Sequence, residues 1–416
     1  MKNSLLPALL LVGVAALAAR AQVTVIRAGR LIDPETATAQ TNQVIVVEGG
    51  KIKAVGRGLG VPPGAAVVDL SDASVLPGLF DCHTHLLTTW RPSAGWNPRT
   101  EASQATSLRT LRGVANARGM LEAGFTTVRD VGNAADYSDT SLRMAIEFGW
   151  VPGPTVVNAG KIIAPFGGQW RHWPGRPDLF DAEYIYADTR DEMKKAVREN
   201  VYFGARVIKI VVNGSGFRYS VEDVRFLVEE AARSGLKVAA HCNADEDARH
   251  AILGGVASIE HGEGMTEETL RLAKERGVVL VGTDFPEALA AEQGYAPSLA
   301  PQFLARLRRA YKVGAPMAFG TDALLTTPDK SRGAYALDFL ESYVKVGMRP
   351  GEILRIMTAD AARLVGVDGE RGAIRPGMAA DIIAAPANPL DDVTALRRVS
   401  FVMKDGKVFK SPRPLP

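Results

Sequence analysis

Eight apolar, strand-like runs alternate with amphipathic helical stretches over roughly 290 residues, and this alternation limits the architecture more than any other feature. The runs are Val75 to Cys82, Phe125 to Arg129, Thr155 to Ala159, Val207 to Val212, Leu236 to Ala240, Val256 to Glu260, Val278 to Val281 and Pro316 to Phe319. Helices are expected at 105–123, 189–204, 220–235 and 333–347, with Pro350 opening another that runs to Val365. Eight β/α units in this order imply an α/β fold, a (β/α)8 TIM-like barrel. The text at both ends is different. Val23 to Arg27, Gln43 to Val47, Lys51 to Val55 and Ala66 to Leu70 are short strands between Gly and Pro turns. Asp381 to Ala385, Ser400 to Met403 and Val408-Phe409 repeat that style, so residues 22–76 and 367–416 are expected to pair as one small β-sandwich around a central barrel of residues 77–366.

The chain has 416 residues, 46% apolar and 23% charged, with a mean hydropathy near zero. Disorder, collagen and a polytopic membrane protein are thereby excluded. Residues 1–21 read as a signal peptide: Lys2 precedes the apolar run Leu5 to Ala19, and Ala19-Arg20-Ala21 has the small-x-small form of a cleavage site. A run of about 15 apolar residues is shorter than the ~20 that span a bilayer. The expectation is a periplasmic or secreted protein with no stable membrane association after cleavage. Without Lys2 and Arg20, 47 basic residues face 46 acidic ones, so nothing calls for nucleic acid. Two cysteines, Cys82 and Cys242, do not make a disulfide scaffold.

Only six histidines are present, and about 0.1 His-x-His pairs are expected by chance. His83-Thr84-His85 therefore carries information. It ends the first barrel strand, where period-two geometry sends both imidazoles to one side and Cys82 and Thr84 to the other. His241 ends the fifth strand, His261 the sixth, and Gly320-Thr321-Asp322 follows the eighth. Barrel enzymes place their active sites at this mouth. Four imidazoles and a carboxylate suit zinc or a similar divalent ion. Lys209 lies in the otherwise apolar fourth strand, where a bare ammonium is costly. An ion pair is one remedy; addition of CO2 to the neutral amine is another, giving a carbamate whose two oxygens bridge two cations.

The pieces Pro77-Gly78-Leu79-Phe80-Asp81-Cys82-His83-Thr84-His85, Lys209, His241, Glu260-His261-Gly262, Gly320-Thr321-Asp322, Thr358-Ala359-Asp360-Ala361-Ala362 and Gly372 to Asp381 resemble the amidohydrolase superfamily. Within it the chain is similar to the binuclear Xaa-Pro dipeptidase and imidazolonepropionase-like branch, which includes ochratoxin-hydrolysing amidases. The resemblance implies two divalent metal ions, most simply zinc. His83, His85 and Asp322 would hold one and His241 and His261 the other, with the CO2-derived carbamate on Lys209 as the bridge. It implies hydrolysis by metal-activated hydroxide, with Asp322 as general base and then acid. Tyr219 is the candidate oxyanion donor.

Arg91, Arg171, His172 and Arg218 stand in loops after strands, near Trp90, Trp96, Trp170 and Trp173. They are candidates to bind a substrate carboxylate against an apolar wall. Asp284, in a second Gly-Thr-Asp, ends the seventh strand and does not match the metal position; with Glu287 it is a candidate for contact with substrate or water. His250 fits no ligand position, and Cys82 and Cys242 read as buried inert thiols. Ser342-Tyr343-Val344-Lys345 imitates a serine-hydrolase seed, but its companion motifs are missing. A binding protein on the same barrel would have lost ligands, and all six positions are filled. The expected function is cleavage of an amide or peptide bond next to a carboxylate-bearing residue, on a small-molecule amide or dipeptide, by a homo-oligomer. A lactonase, cyclic-amide hydrolase or phosphotriesterase on the same metals is the alternative.

Overall fold

In a computed structural model, Pro77 and Gly78 divide one extended run between two sheets. The structure describes residues 23–90, 97–169, 175–176, 178–214, 216–292, 296 and 298–412. The N-terminal strands are β1 (Thr24–Asp33), β2 (Thr38–Glu48), β3 (Lys51–Gly56) and β4 (Ala66–Pro77). The central strands are β5 (Leu79–Thr84), β6 (Phe125–Asp130), β7 (Thr155–Asn158), β8 (Ile162–Ala164), β9 (Tyr184–Tyr186), β10 (Ile208–Val211), β11 (Val238–Cys242), β12 (Ser258–His261) and β13 (Val279–Val281). The C-terminal strands are β14 (Ile382–Ala385), β15 (Phe401–Lys404) and β16 (Lys407–Lys410).

Both termini do share one unit, but it is a single seven-stranded sheet of order β16-β15-β14-β4-β1-β2-β3. The sheet curls until β3 meets the segment leading into β14: Ile52 N–H donates to Met378 O and Ala380 N–H to Gly50 O, each at 2.9 Å. Val75 and Leu76, which begin the first strand-like run, belong to this sheet, where they pair with Ala384 and Ile383. Strand alternation then serves two cores. Val75, Ile382 and Phe401 fill the inside of the curl. Leu76, Ile383 and Val402 face outward and pack with Met120, Leu340 and Ile353 of the central helices. Gly78 lets the chain cross between the units, since a Cβ there would overlap the Thr126 side chain.

The central strands are parallel: β5-β6-β7 in one run, and β10-β11-β12-β13 in another that continues through β8 to β9. Asn158 at the end of β7 accepts from Arg206 N–H (2.7 Å) just ahead of β10. Residues 316–319 accept from and donate to Leu280 of β13 (2.9 and 3.1 Å), and Phe319 O accepts from Cys82 N–H of β5 at 2.8 Å. These bonds return the series to its first strand. The pair β8 and β9, three residues each, is an insertion the sequence did not announce. The helices Thr106–Glu122, Arg190–Tyr202 and Val221–Ala232 match expectation, the last two starting in capping boxes, Thr189 with Glu192 and Ser220 with Asp223. The stretch 333–347 divides into Arg332–Asp338 and Leu340–Lys345, and the run from Pro350 breaks into Pro350–Ile356 and Ala359–Val365. No helix among the described residues is long and apolar enough to cross a membrane. The expected signal peptide, residues 1–21, lies outside the described residues.

Candidate metal centre

Five of the expected ligands sit at or just past a strand end, His83 in β5 with His85 just beyond, His241 in β11, His261 in β12 and Asp322 three residues past Phe319, while Lys209 lies within β10. All six line one cavity of about 420 Å³. Ring centroids are 5.2 Å apart for His83 and His85, and 4.7 Å apart for both His83–His261 and His241–His261. His85 Nε2 lies 3.5 Å from an Asp322 carboxylate oxygen. Donor atoms of His83, His261 and Asp322 lie within 4.8 Å of one another. That trio draws on both expected ligand sets, so the two sets form one continuous cluster.

Backbone geometry brings them together at a cost. His261, Thr283 and Asp322 have φ of +67°, +52° and +53°, a left-handed conformation that non-glycine residues adopt at about 1–3 kcal/mol each. Strict alternation would turn Glu260 and His261 to opposite faces. The left-handed turn at His261 breaks it, so both approach His83: Glu260 Oε2 is 2.7 Å from His83 Nδ1. A second anchor ties the first and eighth strands. Fully buried Asp81 accepts from Thr321 Oγ1 at 2.6 Å and from the backbone N–H groups of Thr321 and His83 at 3.1 Å.

These partners also fix the imidazole tautomers. His85 Nδ1 is 2.9 Å from Gly132 O, which can only accept, so Nδ1 carries the proton and Nε2 keeps its lone pair. His83 Nδ1 faces the Glu260 carboxylate in the same way, and His261 Nδ1 lies 2.9 Å from Thr283 Oγ1. Gln169 accepts from Tyr184 Oη at 2.7 Å and turns its amide nitrogen toward the His241 ring at 3.2 Å. The β8–β9 insertion thus supplies a neighbour for a ligand. Arg129 completes the support: it donates to Glu260 Oε1 and to Ser258 Oγ at 2.7 and 2.9 Å, and to Cys82 O at 2.6 Å. Sequence reasoning missed Arg129 and Asp81. An arginine at the end of the strand-like run Phe125 to Arg129 was the available signal.

Burial pushes His85 down to about 4 and His241 to about 3, and holds His83 and His261 well below their ordinary value. All four are therefore neutral donors at pH 7. Burial also lowers Lys209 to about 8 and raises Asp322 to about 7. His83 Nε2 and Asp322 Oδ1 are buried without any hydrogen-bond partner, which is costly unless something else satisfies them. Neutral imidazoles with free lone pairs, a carboxylate and two orphaned atoms are a donor set that fits a divalent cation of the zinc kind.

Other expected residues are placed elsewhere. Tyr219 does not line this cavity: its hydroxyl donates to Ala187 O at 2.6 Å and its ring packs among Val212, Val224 and Leu227. The side chain turns into the layer between strands and helices. Arg218 is bound to Asp247 (2.6 Å) and Glu246 and does not reach the cavity. Arg91, Arg171 and His172 lie outside the described residues, as do Trp96, Trp170 and Trp173. Trp90 is buried in the main core, so the apolar wall seen is Phe285, Leu299, Phe303 and Leu324. Asp284 is paired with Arg306 at 3.0 Å and with Tyr343 Oη at 3.2 Å, away from the ligands. Glu287 pairs with Lys345, and His250 Nδ1 with Tyr219 O. Cys82 and Cys242 are free and buried.

The profile of the amidohydrolase family matches residues 74–409. An ochratoxinase from Aspergillus niger is 31% identical over an alignment covering 94% of this chain and 88% of that protein. An imidazolonepropionase from Caldanaerobacter subterraneus is 23% identical, with 84% and 85% covered. A solved Xaa-Pro dipeptidase with methionine bound in its active site superposes with a TM-score of 0.81 at 29% identity, over 94% of this chain and 100% of that one. The crystal structure of A. niger ochratoxinase gives 0.79 at 27%, over 94% and 96%.

Proposed function

The chain belongs to the amidohydrolase family, and from that footing we propose that it is an exported, binuclear zinc hydrolase. It cleaves an amide or peptide bond beside a carboxylate-bearing residue, in a small N-acyl amino acid or dipeptide. The returning series of parallel strands supports reading the central unit as a (β/α)8 barrel whose ligands stand at the strand ends. One observation carries the proposal: four neutral histidines, Lys209 and Asp322 meet in one cavity, and two of their donor atoms have no partner in the protein.

In this reading His83, His85 and Asp322 would hold one ion and His241 and His261 the other, with carboxylated Lys209 contributing to both. Burial supports that modification, because an amine held at about 8 is partly neutral at pH 7 and only the neutral amine adds to CO2. The ions supply Lewis acidity toward the carbonyl and make water acidic enough to act near pH 7. Asp322 accepts a proton at its carboxylate and returns it to the leaving nitrogen. Glu260 and Gly132 hold His83 and His85 in one tautomer throughout, and Thr283 orients the His261 ring. Arg129 and Asp81 keep the strand ends from shifting. With Tyr219 turned away, no protein oxyanion donor is assigned.

The test is a panel of N-acyl amino acids, Xaa-Pro dipeptides, ochratoxin A and lactones with the zinc-loaded protein. Turnover of carboxylate-bearing amides that is lost in Asp322→Asn supports the reading. Turnover confined to lactones or cyclic amides would replace it with the alternative hydrolase class.

A further inference from the structure

Among the described residues lining the cavity, Glu263 is the only charged side chain outside the six ligand positions. It has one satisfied oxygen and one that is not. Oε1 accepts from Asn243 Nδ2 at 2.7 Å, whereas Oε2 is buried without a partner. A carboxylate oxygen withdrawn from water and left unpaired is unfavourable, and a donor arriving with a ligand relieves it. The pair is held in place by the backbone. Asn243 stands two residues past His241 and Glu263 two past His261, in the segments that follow adjacent strands, and Gly262 N–H donates to Cys242 O while Gly264 N–H donates to Asn243 O, both at 2.9 Å. At Gly264 a side chain would collide with the Asn243 backbone, so the loop is fixed by close packing. The apolar part of the lining, Phe285, Phe303 and Leu324, comes from the segments after the seventh and eighth strands. Glu263 and Asn243, which follow the sixth and fifth strands, thus stand on a different stretch of the strand-end rim from these apolar residues.

We propose that Glu263, oriented by Asn243, is a specificity residue that binds a protonated amine of the substrate. The proposal rests on reading this cavity as the substrate site. An unpartnered carboxylate attracts a cationic N–H donor and repels an anion, so the substrate carboxylate must be held elsewhere. Two positions offer such an amine: the α-ammonium of a dipeptide on the acyl side, or a basic side chain on the leaving residue.

Calorimetry on the zinc-loaded protein with phenethylamine and its uncharged analogue 2-phenylethanol tests the charge preference without any turnover. The amine should bind about tenfold tighter or more to the wild type, and Glu263→Gln should abolish the difference. Equal affinities, absence of amine binding, or a preference that persists in Glu263→Gln would overturn the proposal. The last result would place the amine on the metal. Should Glu263→Gln fail to fold, the wild-type pair still decides, and Asn243→Ala should weaken amine binding alone. Turnover then separates the two sources: Phe-Pro against N-acetyl-Phe-Pro reports the α-ammonium, and N-benzoyl-lysine against N-benzoyl-norleucine reports the side chain. If none of the four is cleaved but the calorimetric preference holds, the hydrolase reading fails and the amine site stands.

Discussion

Replacing Glu260 by Gln alters a single atom type but puts a buried network in conflict. Glu260 has two oxygens and at least three donors around them: His83 Nδ1 at 2.7 Å on one, Arg129 at 2.7 Å and Ser258 at 2.5 Å on the other. Glutamine offers one oxygen and one NH2. The oxygen should stay with the guanidinium, since charge-assisted bonds are the stronger ones. The NH2 then faces His83 Nδ1, which must give up its proton and accept. The proton moves to Nε2, the buried atom that has no partner in the protein and is needed as a ligand. Losing a partner to a buried charge costs about 1.5–3 kcal/mol of stability, and disturbing such a support costs about 10- to 100-fold in metal affinity. The assay is competition for zinc against a calibrated chelator, alongside thermal melts with and without zinc. Wild-type zinc affinity in a folded Glu260→Gln protein would refute the tautomer argument.

Asp322→Asn should lower kcat by about 100-fold or more at saturating zinc. Asp284→Asn should leave kcat nearly intact but cost about 3–5 kcal/mol in denaturant unfolding, because Arg306 loses its buried counter-charge. Tyr219→Phe should change kcat less than about threefold and stability by about 1 kcal/mol, the worth of one hydrogen bond to Ala187 O; a hundredfold loss of kcat would restore the oxyanion role. Burial raises the Asp322 carboxyl to about 7 in the metal-free protein. Below that pH zinc must displace a proton, so affinity should climb from about pH 5.5 to 7, and Asp322→Asn should remove that part of the slope. His85 and His241, held at about 4 and about 3, add no slope there.

What was legible in the sequence follows physical lines. Strands such as Ile208–Val211 are buried along their whole length, so they read as apolar runs with one conspicuous intruder, Lys209. Capping boxes at Thr189 and Ser220 announced two helix starts because the motif is local. Side-chain direction beyond a strand end is not local. Tyr219 and Arg218 follow the strand of Lys209, yet one turns under the helices and the other pairs with Asp247. The support for His83 from Glu260 depends on a left-handed residue at His261, where period-two reasoning fails. The β8–β9 pair, three residues per strand within a Gly-rich loop, is too short to show a period.

The central claim is that Lys209 joins two metal ions in one site. Elemental analysis of the purified protein and of Lys209→Ala, each dialysed against the same weak chelator, measures it directly. Close to two divalent ions per wild-type chain, falling to one or fewer in Lys209→Ala, is the predicted result. A wild-type content of one ion, or an unchanged content in Lys209→Ala, would contradict it.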